Sequence, residues 1–78
     1  MSNTYEAIVT IAKDYLGPAA ERFVIRQISF HLNKKPEELT PGDIPKISQW
    51  IKVSLAMLTD DKKMVDDASV RIAKLATS

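Results

Sequence analysis

Cysteine is absent from this chain of 78 residues, and glycine and histidine are scarce. The lack of cysteine excludes disulfide bonds and thiolate zinc sites. The two glycines, Gly17 and Gly42, lie far apart and follow no strand pattern, which excludes a glycine-rich phosphate loop. The single histidine, His31, has no nucleophile placed beside it by any motif. We therefore expect no enzymatic activity, no cofactor and no metal site.

Neither sign of charge dominates, and long apolar runs are missing. The chain has 11 basic and 10 acidic residues, whereas a dedicated nucleic-acid binder usually shows a strong basic excess. No apolar run approaches the ~20 residues of a membrane-spanning helix. The first residues lack the basic start and apolar core of a signal peptide. These absences predict a cytoplasmic protein that has no membrane partner, and they disfavour nucleic acid as a partner.

What the chain does contain is helix punctuation. Ser2, Asn3 and Thr4 are N-cap candidates, and in Leu16-Gly17-Pro18 a helix stop is followed at once by a helix start. Asn33 suits a C-cap, and Pro36–Leu39 resembles one helical turn that carries Leu39 into the core. Thr40 and Asp43 have the spacing of a capping box.

Apolar side chains recur at helical spacing between these signals. They predict helices over roughly 4–16, 18–32, 44–58 and 59–75. The expected fold is all-α, a single domain over 1–78 built as a compact bundle of four helices plus one short helical turn. The second helix is apolar over most of its circumference, Ile25 and Phe30 included, and is expected at the centre. The third helix has an inward stripe that ends at Leu58.

A second apolar row lies on the shoulder of the third helix. Trp50, Val53 and Met57 share this shoulder with Lys46. Tryptophan is enriched at the centres of protein interfaces, and methionine suits adaptable binding surfaces. The row is either covered by a neighbouring helix or exposed as a partner-binding surface, and the sequence leaves both open.

Gln27 and His31 are four residues apart within the apolar arc of the second helix, so their side chains share one face. They could form a small-ligand site. Alternatively they are a buried polar pair that bonds a backbone carbonyl or a hydroxyl such as that of Tyr5 or Tyr15. We favour the buried pair.

The carboxylates all have simpler explanations than catalysis or metal binding. Asp60-Asp61 suits the start of the fourth helix, and Asp66-Asp67 lies on its outer face, where Asp67 can pair with Arg71. Glu37, Glu38 and Asp43 suit turn and cap roles.

Basic side chains provide an alternative binding surface. Arg22 and Arg26 are one helical turn apart on the polar arc of the second helix, and Lys34 and Lys35 follow its end. Together they could contact an acidic partner or the phosphates of nucleic acid. A solvent-exposed face, or a salt bridge from an arginine to Asp14 or Glu21, is the simpler explanation.

The stretch from Tyr15 to Gln27, YLGPAAERFVIRQ, resembles the opening of small all-helical modules of unknown function. Such modules are appended to bacterial and archaeal signalling proteins, including some serine/threonine kinases. The resemblance covers about a sixth of the chain and carries over no catalytic residue. It implies a protein-interaction or regulatory module.

The sequence as a whole therefore predicts a small soluble interaction or adaptor domain. Its expected partner is another protein or a second copy of itself, as in a homodimer. The residues expected to bind that partner are Lys46, Trp50, Val53 and Met57. The alternative is a weak nucleic-acid-binding helical domain that uses Arg22, Arg26, Lys34 and Lys35.

Overall fold

The helices lie close to the positions that the punctuation predicts. In the computed structural model, which describes residues 3–77, the α-helices are α1 (Asn3–Leu16), α2 (Ala20–Leu32), α3 (Ile44–Leu58) and α4 (Lys62–Ala73). Short 3-10 turns cover Gly17–Ala19, Pro36–Glu38, Pro41–Asp43 and Lys74–Thr77. No β-strand occurs between residues 3 and 77. The all-α class is therefore confirmed, whereas the N-cap candidate Ser2 lies outside the described residues.

The expectation of four separate helices is wrong at the first junction. Helical structure continues from residue 3 to residue 32, because a 3-10 turn at Gly17–Ala19 joins α1 to α2 without a break. The described chain thus has three long helical runs, over 3–32, 41–58 and 62–77. Gly17 has a φ of 60°, in the left-handed region that favours glycine. This residue redirects the chain, so that α1 and α2 pack against each other.

The connection between α2 and α3 contains two short turns, where the sequence predicted one. Asn33, at a φ of 53°, ends α2 in the left-handed conformation, as expected for a C-cap. The turn at Pro36–Glu38 is followed by Leu39, which is only 4% exposed, so its predicted place in the core is confirmed. The second turn begins after Thr40, whose backbone N–H donates to Asp43 Oδ2 at 3.0 Å. This bond confirms the predicted capping box.

Each helix packs against two others. α1 contacts α2 and α4, and α3 also contacts α2 and α4, so the helices close into a ring around one core. The large side chains that are fully buried are all isoleucine, leucine or valine: Ile8, Val24, Ile28, Ile44, Ile47, Ile51, Leu55 and Ile72. Half of them lie on α3.

The prediction that the second helix is central is wrong. Phe30 on α2 is 73% exposed, and Ile25 is 38% exposed. Phe30 follows the buried Ile28 by two residues, which turns it about 200° around the helix, away from the core. Leu58 is likewise not inward, because α3 ends there and the chain turns away; its exposure is 66%. The wide apolar arc of α2 is therefore partly a surface.

Candidate interaction surface

Four residues of α3 form one exposed row, which we call the α3 strip: Lys46, Trp50, Val53 and Met57. Their spacing of four, three and four residues keeps them on one helical face. Trp50 is 38% exposed, Val53 50% and Met57 83%, and Lys46 is also exposed. The structure therefore places Lys46, Val53 and Met57 at the surface, whereas Trp50 is exposed in part and covered in part by α2.

Trp50 is held at the edge of this strip by His31 of α2. The two rings stack with their centroids 3.9 Å apart and their planes 4° from parallel. One turn further along the same seam, Ser54 Oγ donates to Gln27 Oε1 at 2.8 Å. Gln27 is buried and His31 is half-buried, so both side chains join α2 to α3.

These contacts favour the structural role expected for Gln27 and His31, that of a polar pair packed inside the fold, but the residues they contact differ from those expected. The hydroxyl that satisfies Gln27 belongs to Ser54 and not to Tyr5 or Tyr15. His31 lies against a tryptophan face, a contact that single-sequence spacing does not reveal. The pair contributes to the candidate surface by fixing the position of Trp50.

A cleft of about 510 Å³ runs beside the strip, between the C-terminal half of α3 and the start of α4. Its lining includes small and apolar side chains from both helices, Val53, Ala56 and Val65, together with charged side chains. Lys52 and Asp66 form an ion pair across its rim, with Nζ and Oδ1 3.5 Å apart. Asp60 lines the same cleft. The strip is thus continuous, through Val53, with a concave apolar surface.

The acidic pairs of the last helix have separate local roles. Asp61 Oδ1 accepts the backbone N–H of Met64 at 3.1 Å and so caps α4. The predicted pairing of Asp67 with Arg71 is not found. Arg71 instead reaches α1, where its guanidinium lies 2.8 Å from Asp14 Oδ2 and donates to the Tyr15 hydroxyl at 2.9 Å. These two partners, first Tyr15 and then Asp14, raise the pKa of Arg71 above its ordinary value.

Two further pKa values are shifted. The hydrogen bond from Lys34 Nζ to Asp43 Oδ2, at 2.8 Å, lowers the pKa of Asp43, and two bonds from Thr40 lower it further. Burial raises the pKa of Tyr5, and the nearby carboxylates of Glu21 and Glu6 raise it further.

The remaining acidic candidates form no shared site. Glu38 Oε1 accepts the backbone N–H of Lys35 at 2.8 Å, a cap role, and Glu37 is exposed. Within residues 3–77, no three histidine or acidic side chains converge as a metal site would require.

The basic residues of the alternative surface are only partly available. Arg22 and Arg26 are exposed on α2, in line with the solvent-exposed alternative. Neither arginine forms a salt bridge with Glu21 or with Asp14 among residues 3–77, and Asp14 pairs with Arg71 instead. Lys34 is paired with Asp43, which partly neutralises its charge. Nucleic-acid binding through this set stays a prediction.

Phe30, like Ile25 and Leu58, is an exposed apolar residue that the sequence pattern predicted to lie inward. It precedes His31 and is exposed on α2. Phe30 lies about 200° around the helix from the buried Ile28, which indicates an outward side chain. Because α2 is apolar over most of its circumference, the sequence pattern alone did not separate the buried face from the exposed one.

Comparison of the chain with protein-family models, curated proteins and solved structures finds no match. No helix in the part of the chain described by the structure has the length and apolar content needed to span a bilayer.

Proposed function

We propose that this chain is a small protein-interaction or adaptor module whose partner binds the α3 strip. The observation that carries the proposal is the exposure of Trp50, Val53 and Met57 on one face of a helix whose opposite face fills the core. Exposed apolar side chains grouped in this way mark interaction surfaces more often than isolated ones do. The resemblance of residues 15–27 to modules of signalling proteins agrees with this class of function.

The stacking of Trp50 on His31 suits Trp50 to be the anchor of such a surface. An aromatic ring that is already immobilised loses little conformational entropy when a partner binds. One face of the Trp50 ring lies against His31, and 38% of the residue remains exposed to solvent. Tryptophan is also among the residue types that dominate binding energy at protein interfaces.

The first test compares association with folding. Met57→Ser should leave the free energy of unfolding within about 0.5 kcal/mol of the wild-type value, because the side chain is mostly exposed. Ile51→Ala changes a buried residue on the same helix and should lower the free energy of unfolding by about 2–5 kcal/mol.

Trp50→Ala should lower the free energy of binding to the partner by more than it lowers the free energy of unfolding. Equal losses in both would make Trp50 a structural residue and contradict the proposal.

The second test locates the partner. A photo-reactive phenylalanine derivative at Met57 should give covalent adducts with protein in the native host cells. The same group at Ser29, an exposed position on α2, is the matched control. If position 57 yields no more adduct than position 29, the α3 strip is not a binding surface.

A further inference from the structure

Resting on the proposed function, we infer that the partner of the α3 strip is an acidic amphipathic helix of another protein. Its apolar side lies on exposed apolar side chains of α3 and α2, and its carboxylates lie beside the cations that flank them. The argument for this partner comes from how α2 extends the α3 strip and from the charges on the combined face.

Two contacts determine how α2 and α3 lie against each other. Gln27 bonds to Ser54, and His31 stacks on Trp50. A later residue of α2 thus contacts an earlier residue of α3, so the two helices run antiparallel. Each contact also identifies the side of its helix that faces the other helix.

On α2, the side chains next to these contacts include an exposed phenylalanine. At 100° per residue, Phe30 lies about 80° to one side of the direction shared by Gln27 and His31, whereas the buried Ile28 lies about 80° to the other. Arg26 lies about 40° beyond Phe30 and is exposed. Phe30 and Arg26 therefore point away from the core, on the outer side of the α2–α3 pair.

The α3 strip lies on the same outer side. Around α3, Trp50 and Ser54 point towards α2, and the buried Ile51 lies about 80° to one side of them. The other three residues of the α3 strip lie about 40–80° to the opposite side. We call the combined surface the α2–α3 face; it consists of Arg26, Phe30, Lys46, Trp50, Val53 and Met57.

The cations of this face flank its apolar centre. Lys46 precedes Trp50 by four residues, and Arg26 precedes His31 by five. Because the helices are antiparallel and the two rings stack, Lys46 and Arg26 lie on opposite sides of the stack. Nine helical residues, or about 14 Å along the axes, separate them.

Carboxylates are missing from the two helices on this side. Helix α3 contains no aspartate or glutamate, and the one acidic residue of α2, Glu21, lines a cleft with Tyr5 and other residues of α1. The ion pairs formed by residues 3–77 include neither Arg26 nor Lys46. Both cations are exposed. The face thus complements carboxylates, and pairing with them requires no internal ion pair to be broken.

The apolar centre favours a protein helix over other polyanions. Phe30 is 73% exposed and Met57 83%, and Val53 lies between the cations as well. Such side chains receive the apolar side of an amphipathic helix, whereas nucleic-acid sites rely on more cations to contact phosphates. A membrane anchor usually presents the apolar side of one helix to the lipid, but here two helices contribute around a ring that His31 holds.

The geometry specifies the partner's pattern. Apolar residues spaced i, i+3, i+4 and i+7 contact the centre of the α2–α3 face. Acidic residues about two to three helical turns apart flank them and reach Arg26 and Lys46.

A pair of synthetic peptides tests the charge of the partner. Both have about 16 residues, which span about 24 Å as a helix, and both carry leucine at the apolar positions. One has glutamate at the flanking positions and the other has lysine. The fluorescence of Trp50, the only tryptophan, reports binding. The acidic peptide should bind about tenfold more tightly, and added salt should reduce the difference. Equal affinities would overturn the inference.

Charge reversal locates the site. Arg26→Glu and Lys46→Glu should each weaken binding of the acidic peptide about five- to tenfold, and the double variant should prefer the basic peptide. Lys13→Glu makes the same charge change at an exposed position of α1 and should alter either affinity by less than about twofold. A double variant that still prefers the acidic peptide would overturn the assignment of the α2–α3 face.

A substitution on α2 tests the apolar contribution of that helix. Phe30→Ser should weaken binding of the acidic peptide about tenfold, because it removes a large exposed side chain from the face. Val70→Ser, at a half-exposed position of α4, is the matched control and should bind as the wild-type chain does. Circular dichroism checks that both variants fold. Wild-type affinity in Phe30→Ser would mean that the partner does not contact α2.

The same fluorescence assay with anionic phospholipid vesicles and with single-stranded DNA examines the other occupants. Binding to either one without a preference for the acidic peptide would overturn the inference. If the photo-reactive group at Met57 joins a protein segment that is not acidic, the inference fails and the proposed function stands. If position 57 gives no more adduct than position 29 and neither peptide binds, both fail.

Discussion

At the scale of single residues, the His31–Trp50 stack joins a structural contact to the candidate surface. The parallel rings, 3.9 Å apart, lie on two different helices, so the stack holds α2 against α3. The same contact limits the rotamers that Trp50 can adopt. Removing the His31 ring should therefore lower the stability of the fold and increase the mobility of the Trp50 side chain.

We expect His31→Ala to lower the free energy of unfolding by about 1 kcal/mol, the usual contribution of an aromatic pair. His31→Phe, which retains a flat ring, should recover most of this loss. Denaturant unfolding can be followed by the fluorescence of Trp50, the only tryptophan of the chain. If the alanine and phenylalanine variants unfold at the same denaturant concentration, the ring stack does not stabilise the protein.

Asp43, the last residue of the turn before α3, joins Lys34 and Thr40 through three hydrogen bonds. Its Oδ2 accepts from Lys34 Nζ, from the Thr40 backbone N–H and from the Thr40 hydroxyl. These bonds favour the ionised carboxylate, so the pKa of Asp43 is lowered in the folded chain. The resulting stabilisation is complete above the pKa of the unfolded chain, and it is lost as the pH falls through the lower folded value.

The prediction compares Asp43→Asn with the wild-type chain, because asparagine keeps a cap acceptor but has no charge. Above about pH 5 the variant should be less stable by about 1 kcal/mol, a modest figure because the Lys34 side chain is 36% exposed. The difference should shrink as the pH falls below about 4, because the carboxylate of the unfolded chain then takes up its proton while the folded carboxylate, with its lowered pKa, still resists protonation. Unfolding free energies measured across this range check it, and a difference independent of pH would contradict it.

At the scale of the elements, Gly17 determines how α1 is followed by α2. Its left-handed backbone, at a φ of 60°, allows helical structure to continue while the chain changes direction. A Cβ added at this position would meet no atom within 4 Å. Any cost of a substitution therefore comes from the backbone conformation and not from a steric clash.

We expect Gly17→Ala to lower the free energy of unfolding by about 1–2 kcal/mol, the cost of a left-handed conformation for an ordinary residue. Gly17→Asn is the matched control and should cost less, because asparagine tolerates this conformation. Thermal or denaturant unfolding of the two variants measures the difference. Equal losses would point to a role for glycine other than its backbone freedom.

Local signals predicted the elements well, because caps and prolines act within a few residues. The predicted third helix has the observed bounds Ile44–Leu58, and the capping box at Thr40 is present. The Arg71 pairing with α1 and the His31 stack were not predictable, since each joins residues distant in the chain. The strip itself was recognisable from its spacing, but its exposure depends on where the other helices pack.

At the scale of the whole molecule, the ring of helices leaves one side of α3 without a neighbour. Arg71 closes the ring by joining α4 to Asp14 and Tyr15 of α1. With both flanks of α3 occupied by α2 and α4, the strip faces outward. A partner seated there would bind folded chains and not unfolded ones, so association would stabilise the fold.

The ring has one more consequence, which concerns the order of the helices along the chain. Asn3 and Thr4 at the start of α1 line a small cleft together with Leu75, so the two ends of the described chain lie side by side. A short linker could join them, and the chain could then be opened between Asn33 and Lys35, where no helix is interrupted. Such a circular permutant should fold to the same ring, because each helix would retain both of its neighbours.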